Sequence, residues 1–126
     1  DKLSIKIGSI FQPVSELSGG NQQKVIIARW LCKNTDVLIF DEPTVGIDVG
    51  TKSEIYKLFG EILSSNKGII LISSYLPELM GMSDRIYVIS NGRMAGEVHK
   101  KDFSEEFLLT LAMKNIVSRE KVKEAV

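Results

Sequence analysis

The sequence predicts an α/β fold: a parallel sheet with flanking helices, followed by a C-terminal β-hairpin and helix. Three observations predict it. The run Val37-Leu38-Ile39-Phe40 is apolar, half β-branched, and stopped by Asp41-Glu42-Pro43, which reads as a strand buried on both faces. Ile55, Leu58, Phe59, Ile62 and Leu63 then recur as one apolar stripe, which places a helix over 49–64. Ile69 to Ser73 is a second buried strand after the turn Asn66-Lys67-Gly68. Strand, helix and strand in that order form a right-handed crossover, and so a parallel pair.

Composition narrows the function classes. One hundred and twenty-six residues make about one domain, and 44% apolar content supplies a core. Sixteen basic residues balance sixteen acidic ones, so no net field recruits nucleic acid or a membrane surface. Cys32 is the sole cysteine, which excludes an intrachain disulfide and suits a reducing cytosol. It reads as a small packed residue on its helix. No apolar run approaches the roughly 20 residues of a membrane span, and the start shows no secretory signal. The chain is therefore expected to reach any membrane through a partner.

Taken in order, residues 1–16 read as an irregular lead-in. Ser18 is a good N-cap for a helix that begins with Gly19 and Gly20. The first N–H groups of a helix lack intrahelical acceptors and carry the positive end of its dipole. Without Cβ atoms there, a phosphate can approach closely. Val25, Ala28 and Leu31 mark the helical spacing that follows. The strand ending in Asp41 and Glu42 delivers two carboxylates to the edge where parallel sheets bind ligands. Asp48 reads as the N-cap of the next helix. Pro77 opens a short helical turn that ends near Gly81. Asn91-Gly92, between Arg85–Ser90 and Arg93–Val98, is the strongest two-residue signal for a type I′ hairpin. Ser104 caps a last helix with Phe107, Leu108, Leu111 and Ala112 on its apolar face. His99, the only histidine, reads as a surface residue, and 114–126 as a charged tail.

The run LSGGNQQKVIIARWL followed by LIFDEPTVGIDVGTK resembles the ATP-binding cassette family, whose signature and Walker B motifs stand in this order and spacing. The longer match is similar to the second cassette of tandem-cassette monosaccharide importers of the ribose, galactose and xylose type. The resemblance covers about residues 3–113. It implies a partial P-loop NTPase fold, with 1–16 ending the family's helical subdomain and 17–113 forming the C-terminal half of a nucleotide-binding domain. It also implies that Ser18, Gly19, Gly20 and Asn21 contact the γ-phosphate of ATP held by a partner cassette, with Gln22 and Gln23 weaker candidates. Asp41 then serves Mg²⁺, Glu42 polarises the attacking water, and Asp48 lies in the D-loop that crosses the cassette interface, where it counts among the nucleotide-binding residues. Gln12 stands too close to Ser18 to be the family's glutamine loop.

Two departures from the family stand out. An active cassette has a histidine ten residues before the acid of its Ser-Asp-Arg triplet; counting back from Asp84 gives Ser74. A serine donates one hydrogen bond but neither carries charge nor titrates near neutrality. No G-x-x-x-x-G-K-[ST] occurs, so the Walker A half is absent from this sequence. The implied partners are a second cassette, membrane permease subunits and, indirectly, a sugar-binding protein. The implied location is the cytoplasmic face of the membrane. A half-sheet is expected to expose apolar surface and to self-associate. Two rival readings are a repair or translation ATPase of the same family, which would need a nucleic-acid surface not visible here, and a catalytically inactive assembly module.

Overall fold

The computed structural model describes residues 3–33 and 35–113; the charged tail expected over 114–126 lies outside them. The chain divides into two units, Asp1–Ile72 and Ser73–Val126.

The first unit holds α1 (Gly19–Leu31), β1 (Val37–Asp41), α2 (Val49–Ser64) and β2 (Gly68–Ile72). A short 3₁₀ turn, Val14–Glu16, interrupts a lead-in that the sequence left irregular. Strands β1 and β2 pair in parallel, with Leu38 opposite Ile69 and Phe40 opposite Leu71. Helix α2 runs over the range its periodicity predicts. It buries Ile55, Leu58, Phe59 and Ile62, while Leu63, at the edge of the stripe, is 44% exposed. Phe59 stacks on Phe40 with ring centroids 4.7 Å apart and planes 24° from parallel, which seats the helix on the sheet. The helix ends at Ser64 with Ser65 as its C-cap, and Asn66 takes φ +60°, a left-handed stop that asparagine tolerates.

Two expectations are corrected here. Strand β1 is buried on one face only: Leu38 and Phe40 lie under α2, while Val37 and Ile39 are 55% and 66% exposed. The same outer face of β2 carries the exposed Ile70 and Ile72. An apolar run alone cannot say whether its second face is covered, because that depends on elements brought from elsewhere. Helix α1 contains Val25, Ala28 and Leu31, which mark its spacing and are half-buried, and it buries Gly20, Lys24 and Ile27. Its inner face follows a lysine, which an apolar-only pattern skips. Cys32 caps the end of α1 and is exposed, not packed.

The second unit contains α3 (Leu76–Met82), β3 (Arg85–Ser90), β4 (Arg93–His99) and α4 (Glu105–Met113). Asn91 and Gly92 both have positive φ, +50° and +72°, the geometry of the type I′ turn expected of this pair. The antiparallel register shifts between Val88 and Ile89, whose partners are Gly96 and Met94. Ile86, Val88, Val98 and Leu108 form the core, with Leu76, Leu79, Phe103 and Leu111 packed around it. Ser104 caps α4, its Oγ accepting from Phe107 N–H at 3.5 Å. Leu108 is buried and Leu111 half-buried, but Phe107 is 47% exposed and off the inner face. His99 is on the surface, 3.8 Å from Glu97.

Phe59 is 1% exposed and closes the contact between helix and sheet. Phe59→Ala is expected to cost roughly 3–5 kcal/mol of unfolding free energy. Chemical denaturation measures it, and a loss below about 1 kcal/mol would show that the ring is not enclosed in solution.

Candidate functional site

Two element ends of the first unit carry the residues that the sequence singles out. The first is the start of α1. Ser18 has extended backbone angles, φ −59° and ψ 151°, and its Oγ accepts from Asn21 N–H at 3.5 Å and from Asn21 Nδ2 at 3.0 Å. Asn21 Oδ1 in turn accepts from Lys6 N–H at 3.0 Å. Gln22 Nε2 donates to Leu17 O at 2.8 Å. The side chains of Asn21 and Gln22 therefore fasten the lead-in to the helix start. Gly19 and Gly20 carry the N–H groups that no helical carbonyl reaches. They differ in surroundings: a Cβ on Gly19 would meet nothing within 4 Å, whereas one on Gly20 would lie 2.4 Å from Thr51 Cγ2.

The second end is the β1 terminus. Asp41 is exposed as the last strand residue, paired with Ile72. Glu42 leaves the strand with φ +46°, a left-handed conformation rare outside glycine and asparagine. Its N–H donates to Ile72 O at 2.9 Å and its carbonyl accepts from Val45 N–H at 3.3 Å. Pro43 and Thr44 are buried beneath this turn, and Gly46, at φ +71°, completes it. Asp48 then caps α2. Its Oδ1 accepts from Thr51 N–H at 3.0 Å and its Oδ2 from Thr51 Oγ1 at 2.7 Å. The hydroxyl bond first, then the N–H bond, hold its carboxyl below the ordinary aspartate value.

Ser74 belongs to the other unit, in the link between β2 and α3, and is exposed. Among the described residues, no group of three or more His, Cys, Asp and Glu side chains is placed to hold a metal ion.

Sequence reasoning missed the seam between α1 and α2. Lys24 is buried at 5% exposure, ion-paired with Glu54 of α2, and donates to Ser4 O at 3.4 Å. Thr51 fills the space beside Gly20. A signal existed: Gly20 and Lys24 are one helical turn apart, as are Thr51 and Glu54, and the two pairs are complementary in size and charge.

This arrangement can be set beside known proteins. A family model described as ABC transporter matches residues 4–45. The L-arabinose transport ATP-binding protein AraG of Geobacillus stearothermophilus is 50% identical over 93% of this chain and 23% of its own length. The galactose/methyl galactoside import ATP-binding protein MglA of Vibrio vulnificus is 55% identical over 89% of this chain and 22% of its own. Over most of its length the chain is similar to proteins of the ATP-binding cassette family. It spans less than a quarter of the length of these relatives. A solved ATP-binding cassette of an ABC transporter, in its ADP conformation, superposes with a TM-score of 0.62 at 26% identity, covering 85% of this chain and 41% of that one. The α/β fold with a parallel sheet and C-terminal hairpin is that of a P-loop NTPase cassette.

The Lys24–Glu54 pair gives this segment a pH signature. The Lys24 hydrogen bond and charge, with Lys6 adding a little, hold the Glu54 carboxyl below its ordinary value; desolvation and Asp48 oppose them. A depressed carboxylate stabilises the fold fully above its ordinary value of 4.5 and loses that contribution as pH falls through its folded value. The unfolding temperatures of the native chain and Glu54→Gln should therefore differ most near neutrality and converge in acid. Asp48 is common to both proteins and cancels. A gap that stays constant with pH would mean that the pair does not form.

Proposed function

We propose that this chain is the signature-bearing part of an ATP-binding subunit of a sugar importer, coupling ATP binding and hydrolysis to uptake. The observation that carries this reading is identity of 50% and 55% to two sugar-import ATP-binding proteins over 93% and 89% of the chain. In this reading 1–16 ends a helical subdomain, 17–113 is the C-terminal half of a cassette, and 114–126 is a tail. The chain works within a two-cassette assembly on the cytoplasmic face of the membrane, bound to permease subunits and served by a sugar-binding protein. The exposed outer face of Val37, Ile39, Ile70 and Ile72 supports self-association when the chain is alone.

The geometry supports roles for the named residues. Ser18 and the N–H groups of Gly19 and Gly20 donate toward the γ-phosphate of ATP held by the partner cassette. Asn21 and Gln22 act by holding that helix start to residues 6 and 17. Mg²⁺ usually takes only one or two protein carboxylates and completes its shell with phosphates and water, so the single exposed Asp41 at the strand end fits it. When bound, the ion neutralises charge on the phosphates. Glu42, turned out of the strand by its left-handed backbone, orients the attacking water. Ser74 offers a hydroxyl where the family has an imidazole, which leaves this cassette's own site short of a titratable group. Asp48 holds the D-loop through its cap.

The isolated chain lacks a Walker A lysine and phosphate cradle, and is expected not to hydrolyse ATP. A phosphate-release assay on pure protein checks it; turnover near 1 s⁻¹, the low end of about 1–10³ s⁻¹ for enzymes, abolished by Glu42→Gln, would refute it. In the full-length two-cassette protein, Ser18→Arg is expected to abolish ATPase and transport. Glu42→Gln should be milder, within about tenfold, or ~1.4 kcal/mol in barrier. Both variants are compared in the same reconstituted transporter. Equal, near-total loss would mean that Ser74 supports a working site.

A further inference from the structure

Gly20 stands in a motif where glycine is explained by the approach of a phosphate, yet its Cα faces protein. A Cβ built there would lie 2.4 Å from Thr51 Cγ2, 3.0 Å from Thr51 Oγ1 and 3.1 Å from Thr51 Cβ. Gly19, its neighbour, has open space at the equivalent point. The two glycines thus answer to different constraints, one to access and one to the close packing of α1 on α2.

Thr51 has no freedom to withdraw. Its hydroxyl donates to Asp48 Oδ2 at 2.7 Å and its N–H to Asp48 Oδ1 at 3.0 Å, so rotating χ1 to remove the methyl breaks the cap of α2. One turn further along, Lys24 and Glu54 join the same two helices again. With contacts on two successive turns, α1 can neither slide nor pivot on α2 without separating a buried lysine from its carboxylate.

We infer that Thr51 is a positioning residue for the ATP site: its methyl seats Gly20, and with it the N–H groups at the start of α1, while its hydroxyl fixes Asp48. The inference rests on the proposed role of Ser18 to Asn21 as γ-phosphate donors. Donors aimed at a transferring phosphoryl group must be placed to within a fraction of an ångström. Thr51 sets that placement from a helix that touches no nucleotide in this reading. It also ties the signature helix and the D-loop aspartate to one side chain, so neither moves without the other.

The test uses the full-length ATP-binding protein assembled with its membrane partners. ATP turnover number, KM for ATP and unfolding temperature are measured for Gly20→Ala, Thr51→Ser, the double variant Gly20→Ala/Thr51→Ser, and Gly19→Ala with and without Thr51→Ser. Gly20→Ala is expected to lose about tenfold or more in turnover number. Thr51→Ser keeps the hydroxyl on Asp48 but removes the methyl that seats Gly20, so turnover number should fall about threefold with the unfolding temperature near native, and native turnover in this variant overturns the inference. The double variant should recover most of the lost turnover; the remaining contacts near 3 Å keep recovery short of complete. Any loss from Gly19→Ala should be the same in both backgrounds. A double variant as impaired as Gly20→Ala, or a Gly20→Ala protein with native turnover, overturns the inference. So does a Gly20→Ala protein that is less heat-stable yet turns over normally when folded, since Thr51 would then be structural only. Native protein without ATP turnover would instead sink the functional reading, which separates the two failures.

Discussion

The stacking of Phe59 on Phe40 is the contact on which the first unit depends. It seats α2 on the β1–β2 pair, and α2 is the element to which everything functional in that unit is referred. One side of the helix turns Ile55, Leu58, Phe59 and Ile62 into the core. Another presents Thr51 and Glu54 to α1. Its N-terminus holds Asp48. A change that tilts α2 therefore moves the signature helix, the D-loop cap and the floor beneath Asp41 together. The hydrophobic contact supplies the stability, and the polar seam supplies the register.

Local strain marks the second functional end. Glu42 holds a left-handed backbone that costs on the order of 1–3 kcal/mol for a non-glycine residue. It persists because its N–H is captured by Ile72 O and because Pro43 and Thr44 are buried behind it. The parallel pairing that ends at Asp41–Ile72 thus continues for one more hydrogen bond, then turns sharply. Two successive carboxylates leave the sheet in different conformations, one extended and one left-handed. In the proposed function this difference suits the two acids to different tasks.

Much of the architecture was legible locally. The limits of α2, its Asp48 cap, the type I′ turn at Asn91-Gly92 and the Ser18 and Ser104 caps follow from residues within one or two turns of each other. The motif order of signature helix, Asp-Glu strand and D-loop was also readable, and with it the family resemblance. The bulge between Val88 and Ile89 was not, because nothing in the alternation of β3 reveals a shifted partner on β4.

The sequence by itself determined which elements form and which chemistry they carry, since caps, periodicity and turn residues act over short chain distances. Only the tertiary structure decided which faces those elements bury. Strand β1 shows apolar residues on both sides, Val37 and Ile39 on one and Leu38 and Phe40 on the other, and the packing of α2 makes the second side inner. Helix α1 turns inward through Lys24, because Glu54 waits on a helix thirty positions away to neutralise it. Gly20 is the plainest instance: its residue type was legible as an access requirement, but its closest neighbour is Thr51, brought there by the fold. Contacts of that range are fixed by shape and charge across elements, which no local pattern encodes.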